Sequence, residues 1–201
     1  MKKFAPMAAL LILIAACVKT ESPWIKVSTE MTSIGFNGRT MKTPVESNCP
    51  WTATCGTEGV MVAPSSYTGS CRVSITVPSS VAKEDRDIKV VFSGEGVSQD
   101  AVFSIRQEAA PYIELQKQRD TIPGTGGTIR AVIQANADWV MTTASALTKC
   151  TMDPTEGSGT TTVSITVPET TKTRTWTFDA TFQLKDYPDN KVTLTVVQLK
   201  K

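Results

Sequence analysis

The chain contains no histidine. Ser-His-Asp and Cys-His nucleophilic catalysis, histidine general bases and histidine-ligated zinc are therefore excluded. Carboxylates remain, and a pair of Asp or Glu side chains can cleave a glycosidic bond. Glu84, Asp85 and Asp87 cluster, but beside Arg86 in a polar connection. Asp186-Tyr187-Pro188-Asp189-Asn190 reads as a loop between two strands. Neither group carries a mark of burial or pH tuning, so no catalytic residue is assigned and the chain is read as non-enzymatic. No Asp-rich calcium loop and no Cys-x-x-Cys pair occurs, so no metal or other cofactor is expected.

Aromatic side chains offer a second chemistry. The axial C–H face of a sugar is apolar and stacks on an aromatic ring. Trp24, Trp51, Trp139, Trp176, Tyr67 and Tyr112 are the platform candidates. Trp176 shares a strand face with Phe178 and Phe182, which places it in a core. Trp51 and Trp139 recur at one position of an internal repeat. A recurring strand tryptophan favours sandwich core over ligand contact. Tyr67, in the loop-like Pro64-Ser65-Ser66-Tyr67-Thr68-Gly69-Ser70, is the best exposed candidate. The candidate ligand-contacting set is therefore Tyr67, Trp51 and Trp139.

The first sixteen residues read as an address. Two lysines precede a short apolar stretch, then Ala15, Ala16 and Cys17. That is the order of a secretory signal, and the stretch falls short of a membrane span of ~20 residues. Ile14-Ala15-Ala16-Cys17 resembles the lipobox of bacterial lipoproteins. The resemblance implies cleavage before Cys17, lipidation of that residue and attachment to the outer membrane. Residues 17–22 then form an anchored linker, facing either the periplasm or the cell surface. In such an oxidising compartment disulfides are allowed. Cys49, Cys55, Cys71 and Cys150 remain, three of them in the first half. Cys55–Cys71 is the favoured pair, joining two neighbouring strands and closing a loop worth ~3 kcal/mol. Four free thiols are the alternative.

The elements that would carry these residues are read from a repeat. Val73-Ser74-Ile75-Thr76-Val77-Pro78 returns unchanged at Val163–Pro168. With an offset of 88 residues, Pro23–Val27 meets Pro111–Leu115, Gly38 meets Gly126, and Val45–Trp51 meets Ile133–Trp139. Asn48 and Trp51 thus recur as Asn136 and Trp139. Two residues are gained before the repeated hexamer, and the offset is read as returning to 88 at Arg86 and Arg174. Each copy closes on a glutamine, Gln107 and Gln198. Collinear order of this kind signals duplication.

Within a copy the apolar period is two. Val73, Ile75 and Val77 share a face, as do Ile88, Val90 and Phe92, and Trp176, Phe178, Ala180 and Phe182. Proline ends the repeated strand, where the lost backbone donor is harmless. Gly124–Gly127 and Glu156–Gly159 punctuate turns. Asn48 and Asn136 are expected to bond a turn backbone. Glu108-Ala109-Ala110-Pro111 is the boundary. The expectation is all-β: two tandem β-sandwiches, residues 23–110 and 111–201, with limited mutual freedom. A formal charge of +2, from 21 basic and 19 acidic residues, gives no reason to expect nucleic acid.

Each copy resembles a BACON domain, an immunoglobulin-like module found mainly in surface and periplasmic proteins of Bacteroidetes. The matching residues are Gly126-Gly127, Asn136-Ala137-Asp138-Trp139, the turn before Val163, Arg174 and Gln198. In the first copy they are Asn48-Cys49-Pro50-Trp51, Arg86 and Gln107, with Asn37-Gly38-Arg39 replacing the double glycine. The resemblance implies an immunoglobulin-like fold and association with carbohydrate or mucin, or a spacer role. Two functions compete: a glycan- or mucin-binding accessory lipoprotein, and a scaffold that engages another envelope protein.

Overall fold

The computed structural model describes residues 21–143 and 149–201, and the expected lipidation site Cys17 lies outside them. Among the described residues there are eighteen strands and no helix. The first nine are β1 (Ile25–Lys26), β2 (Thr32–Ile34), β3 (Arg39–Ser47), β4 (Pro50–Cys55), β5 (Met61–Ala63), β6 (Ser66–Thr68), β7 (Cys71–Val77), β8 (Arg86–Ser93) and β9 (Ala101–Gln107). Their counterparts are β10 (Ile113–Leu115), β11 (Arg119–Ile122), β12 (Gly127–Ala135), β13 (Trp139–Thr143), β14 (Thr151–Asp153), β15 (Glu156–Gly157), β16 (Thr161–Val167), β17 (Trp176–Leu184) and β18 (Lys191–Gln198).

Each half folds into the same two sheets. The four-stranded sheets run β1-β3-β7-β5 and β10-β12-β16-β14; the five-stranded sheets run β2-β9-β8-β4-β6 and β11-β18-β17-β13-β15. Pairing is antiparallel except for β2 on β9 and β11 on β18. The two halves bury separate cores. Val73, Ile75, Val77, Ile88, Val90 and Phe92 face inward in the first, and Val163, Ile165, Val167, Phe178, Ala180 and Phe182 in the second. The alternating pattern thus becomes two sheets facing each other across one apolar layer per module. Trp51 and Trp139 sit inside these layers, each meeting a phenylalanine edge-on: Phe92 at 5.5 Å and Phe182 at 5.8 Å.

The repeated polar residues have structural causes. Gln107 is buried; its Nε2 donates to the carbonyls of Pro78 (2.9 Å) and Phe36 (3.1 Å). Gln198 Nε2 donates to the Pro168 carbonyl at 2.8 Å. The glutamine thus ties the proline-terminated strand of one sheet to the last strand of the other. Asn48 and Asn136 bond backbone, but not that of a turn. They reach the segment leading into each module: Trp24 N and Ser22 O, and Tyr112 N and Ala110 O. Gly38 and Gly126 have φ near +70 to +80°, and a Cβ on either would collide with the carbonyl of Val77 or Val167. No side chain fits there.

Register corrects one alignment. Arg86 lies opposite Gln107 and Trp176 opposite Gln198, so the counterpart of Arg86 is Trp176, not Arg174. The offset there is 90, as it is from Phe92 to Phe182. The chance identity of two arginines concealed a real difference between the copies.

The modules meet end to end. The Ala110 amide donates to the Ala82 carbonyl at 2.7 Å, and the Ala109 amide to Asp85 Oδ1 at 2.9 Å. Lys83 Nζ donates to Glu114 Oε1 at 2.6 Å and lies 5.3 Å from the Tyr112 ring centroid. Phe36 meets Tyr187 edge-on at 5.8 Å. Each module therefore has one end at the junction and one outer end.

Candidate functional site

The outer end of the first module carries an open groove of about 750 Å³. Pro50 and Trp51 open β4, and its antiparallel neighbour β6 brings Tyr67 directly opposite Trp51. Their ring centroids are 6.4 Å apart. Tyr67 is 49% exposed, while Trp51 borders the groove but is only 2% exposed. Trp51 Nε1 donates to the Gly69 carbonyl at 2.9 Å. Pro23, Ser66, Thr68, Ser93 and Glu95 also line it. An aromatic wall among small polar residues suits a polyhydroxylated ligand with one apolar face.

Two of the three aromatic candidates therefore come together, and the third does not. Tyr67 is exposed as expected, but on a short edge strand rather than in a loop. Trp139 is 0% exposed, in the second core, and reaches no groove. Its cross-strand partner is Gly157, where a Cβ would stand 2.9 Å from Trp139 Cζ2. Trp139 Nε1 is buried without a hydrogen-bond partner among the described residues. Trp139 is thus corrected from candidate contact to core.

The second module has its own opening, at its outer end. A pocket of about 540 Å³ lies between the start of β17 and the segments before β14 and after β16. Lys149, Cys150, Thr170, Thr171, Lys172 and Trp176 line it. Trp176 is half-buried and packs on Phe178 at 5.0 Å, while Lys172 Nζ lies 4.2 Å from its ring centroid. Its Nε1 donates to Gln198 Oε1 at 2.7 Å. Sequence reasoning missed this pocket, because Trp176 read as core by alternation alone.

Cys49, Cys55, Cys71 and Cys150 are thiols in the structure. Cys55 and Cys71 do not lie on neighbouring strands: β4 and β7 belong to opposite sheets. Pro50 pairs with Thr68, which puts the start of β7 at the Pro50 end of β4. Cys55 stands five residues down that strand, roughly 17 Å away at ~3.3 Å per residue, beyond the ~7 Å a disulfide spans. Burial pushes the Cys71 and Cys150 thiols up, which disfavours the reactive thiolate.

The acidic cluster is a structural clasp. The Ala109 amide, followed by Arg106, holds Asp85 below its ordinary carboxyl value. Arg106 reaches its Oδ2 at 2.9 Å. Asp186–Asn190 is a loop, and Asn190 Nδ2 in it donates to the Pro111 carbonyl at 2.7 Å. Among the described residues no group of three or more Cys, Asp or Glu side chains converges as a metal site.

This geometry defines a class: a tandem pair of immunoglobulin-like β-sandwiches. The class agrees with solved structures. The protocadherin gamma B7 extracellular cadherin domains 1–4 match at TM-score 0.53 and 8% identity, over 88% of this chain and 50% of that one. The protocadherin gamma B2 domains 1–5 match at TM-score 0.51 and 8% identity, over 89% and 40%. A Bacteroides ovatus GH5 xyloglucanase, solved with an XXXG heptasaccharide, matches at TM-score 0.40 and 16% identity, over 51% of this chain. The chain spans 22% of that enzyme, and half or less of the two protocadherin chains. At these identities the likeness concerns fold alone. No family model and no curated protein matches the sequence.

Proposed function

We propose that the protein is a non-catalytic, lipid-anchored envelope protein of BACON type that binds glycan or mucin through the outer groove of its first module. The groove carries this reading: Tyr67 is an exposed ring opposite Trp51, in a groove that Ser66, Thr68 and Ser93 also line. No titratable pair in the groove is placed for bond cleavage. Lipidation at Cys17 would tether the chain to the outer membrane, since several acyl chains hold where one is marginal. A glycan array and mucin pull-down with the full chain test the reading. Binding that falls about tenfold in Tyr67→Ala, the loss of ~1.4 kcal/mol, is the expected result. A folded protein that retains nothing at millimolar ligand would sink it. Cys17→Ser is expected to move the protein from the membrane fraction to the soluble one, and protease treatment of intact cells reports which side it faces.

A second reading, an interaction scaffold, draws support from the junction. Asp85, Lys83 and Phe36 contact the linker and the second module, which ties the two modules together as a spacer requires. Proximity labelling would then recover one dominant protein partner rather than the background common to anchored lipoproteins.

A further inference from the structure

We propose that the pocket at the outer end of the second module is a separate binding site for a saccharide unit bearing a carboxylate or sulfate. The saccharide class rests on the glycan reading above; the site shares no residue with the first groove.

The two modules diverge on a common frame. Strand register puts Trp176 where the first module has Arg86. The turn before this strand is built alike in both copies. Ser80 Oγ accepts from the Ala82 amide at 3.2 Å, and Thr170 Oγ1 from the Lys172 amide at 3.1 Å. Lys172 therefore replaces Ala82. Lys149 stands two residues before β14, where Gly59 stands two residues before β5. Gly59 lies so close to Pro78 that a Cβ there would be 3.1 Å from its ring. Three changes on one corner thus put an aromatic side chain and two lysines around the pocket of the second module.

The side chains are disposed for an anion. Trp176 is fixed by its bond to Gln198, so its Nε1 is already used. Its ring holds Lys172 Nζ at 4.2 Å, a cation–π geometry that orients the ammonium and leaves its hydrogens for another acceptor. Among the described residues neither Lys149 nor Lys172 is in an ion pair, and the acid on this rim, Glu169, pairs with Lys201. The pocket thus carries two uncompensated positive charges. Thr171 and Thr177 line the same pocket. A carboxylate or sulfate oxygen takes N–H bonds from the lysines, while the ring carbons lie along the Trp176 edge.

The four tryptophans make the test, because each indole N–H gives its own resonance. The full chain, 15N-labelled in mild detergent, is titrated with sialyllactose, with a sulfate ester of lactose that carries no carboxylate, with lactose and with inorganic sulfate. Trp176→Phe identifies the Trp176 signal. The expected result is that sialyllactose or the sulfated disaccharide moves the Trp176 indole at millimolar concentration. Which of them acts separates carboxylate from sulfate; lactose and free sulfate leave it in place. Lys149→Gln with Lys172→Gln weakens the response at least tenfold with spectral dispersion intact. Salt at about 0.5 M weakens it as well, since screening then acts over a few ångströms. The proposal is overturned if neither acidic sugar moves Trp176, if lactose moves it equally, if sulfate alone suffices, or if the lysine variants respond as wild type. The Trp51 indole reports the first groove in the same spectra, so failure of one site is read apart from failure of the other.

Discussion

Trp51 and Trp139 occupy one position of a duplicated frame, yet one borders a groove and the other is sealed. The difference lies in four neighbours. Opposite Trp51 stands Tyr67; opposite Trp139 stands Gly157, against which the indole lies flat enough to forbid a Cβ. The position of Ser66 is taken by Glu156, that of Gly94 by the fully buried Leu184, and that of Glu95 by Lys185. Glu156 and Lys185 then bridge at 2.9 Å. In the second module this end faces the junction, where Tyr187 meets Phe36. At the opposite ends the pattern inverts: Arg86 with Gly59 closes the first module toward the junction, and Trp176 with Lys149 and Lys172 opens the second. Each module thus carries an aromatic-lined opening at its outer end. Duplicated sandwiches tolerate this because the core and the glutamine tie carry the fold, leaving the ends free to vary.

The largest test of that division removes the tie. Gln107→Leu strands two carbonyls and the Arg86 guanidinium, and Gln198→Leu strands one carbonyl and the Trp176 indole. With ~1–3 kcal/mol for each unsatisfied buried group, Gln107→Leu is expected to cost about 3 kcal/mol or more and Gln198→Leu about 2 kcal/mol or more, the smaller loss of the two. Amide exchange of the β8 and β17 strands reads each module separately, because a two-module chain need not unfold in one step. Equal losses would mean that the tie does not depend on its count of bonds.

Next comes the seal. Gly157→Ala forces a methyl against the Trp139 ring and is expected to destabilise the second module by about 1–3 kcal/mol. Tyr67→Ala at the matching position removes an exposed ring and should stay within about 0.5 kcal/mol. A smaller contrast follows from the indoles. Trp51→Phe loses a hydrogen bond to Gly69 as well as volume, whereas Trp139→Phe also removes an unpartnered buried donor. The first should therefore cost about 1 kcal/mol more than the second. Thermal unfolding followed at module-specific resonances decides it, and a larger loss at Trp139 would show that its N–H has a partner in solution.

How far the sequence reached follows from the same residues. The sandwich was legible because strand alternation and the repeated hexamer are local signals of burial, and Val73, Ile75 and Val77 obey them. The groove was half legible: Tyr67 read as exposed, but its placement beside Trp51 depends on a strand register that spacing alone does not set. Trp139 read like Trp51 because identity at one position says nothing of the residue across the strand. The Arg86–Arg174 match misled for a related reason, since register is decided by Phe92 and Phe182 packing over the tryptophans. The second pocket was illegible, because Lys149 and Lys172 lie 23 residues apart and meet only through β14 and the turn before β17. The favoured disulfide failed because strands close in sequence were assumed close in space, while the chain crosses between sheets at Gly69 and Ser70.

The junction and the seal should part company on acidification. Asp85 is held below its ordinary 3.8 first by the Ala109 amide and then by Arg106; Glu156 is held below its ordinary 4.5 by Lys185 alone. A carboxyl with a depressed folded pKa adds stability that is complete above its unfolded value and is lost as pH falls through the folded one. Both contacts therefore persist at neutral pH and fail only in acid, at a pH below those ordinary values. Both carboxylates are exposed, so each effect is small. They differ in salt dependence: a hydrogen bond from a fixed amide resists screening, while an exposed ion pair does not. Lys185, raised by Glu156, adds a second limit, since its contribution is lost as pH rises through its raised value above 10.5. The Ala109 amide shift, followed through an acid titration, is expected to give a midpoint below 3.8 that holds in high salt. The Glu156 carboxyl midpoint should rise toward 4.5 as salt is added. An Ala109 midpoint that drifts upward with salt in the same way would show that Arg106, rather than the backbone of the linker, holds Asp85, and that the junction is no more fixed than the seal.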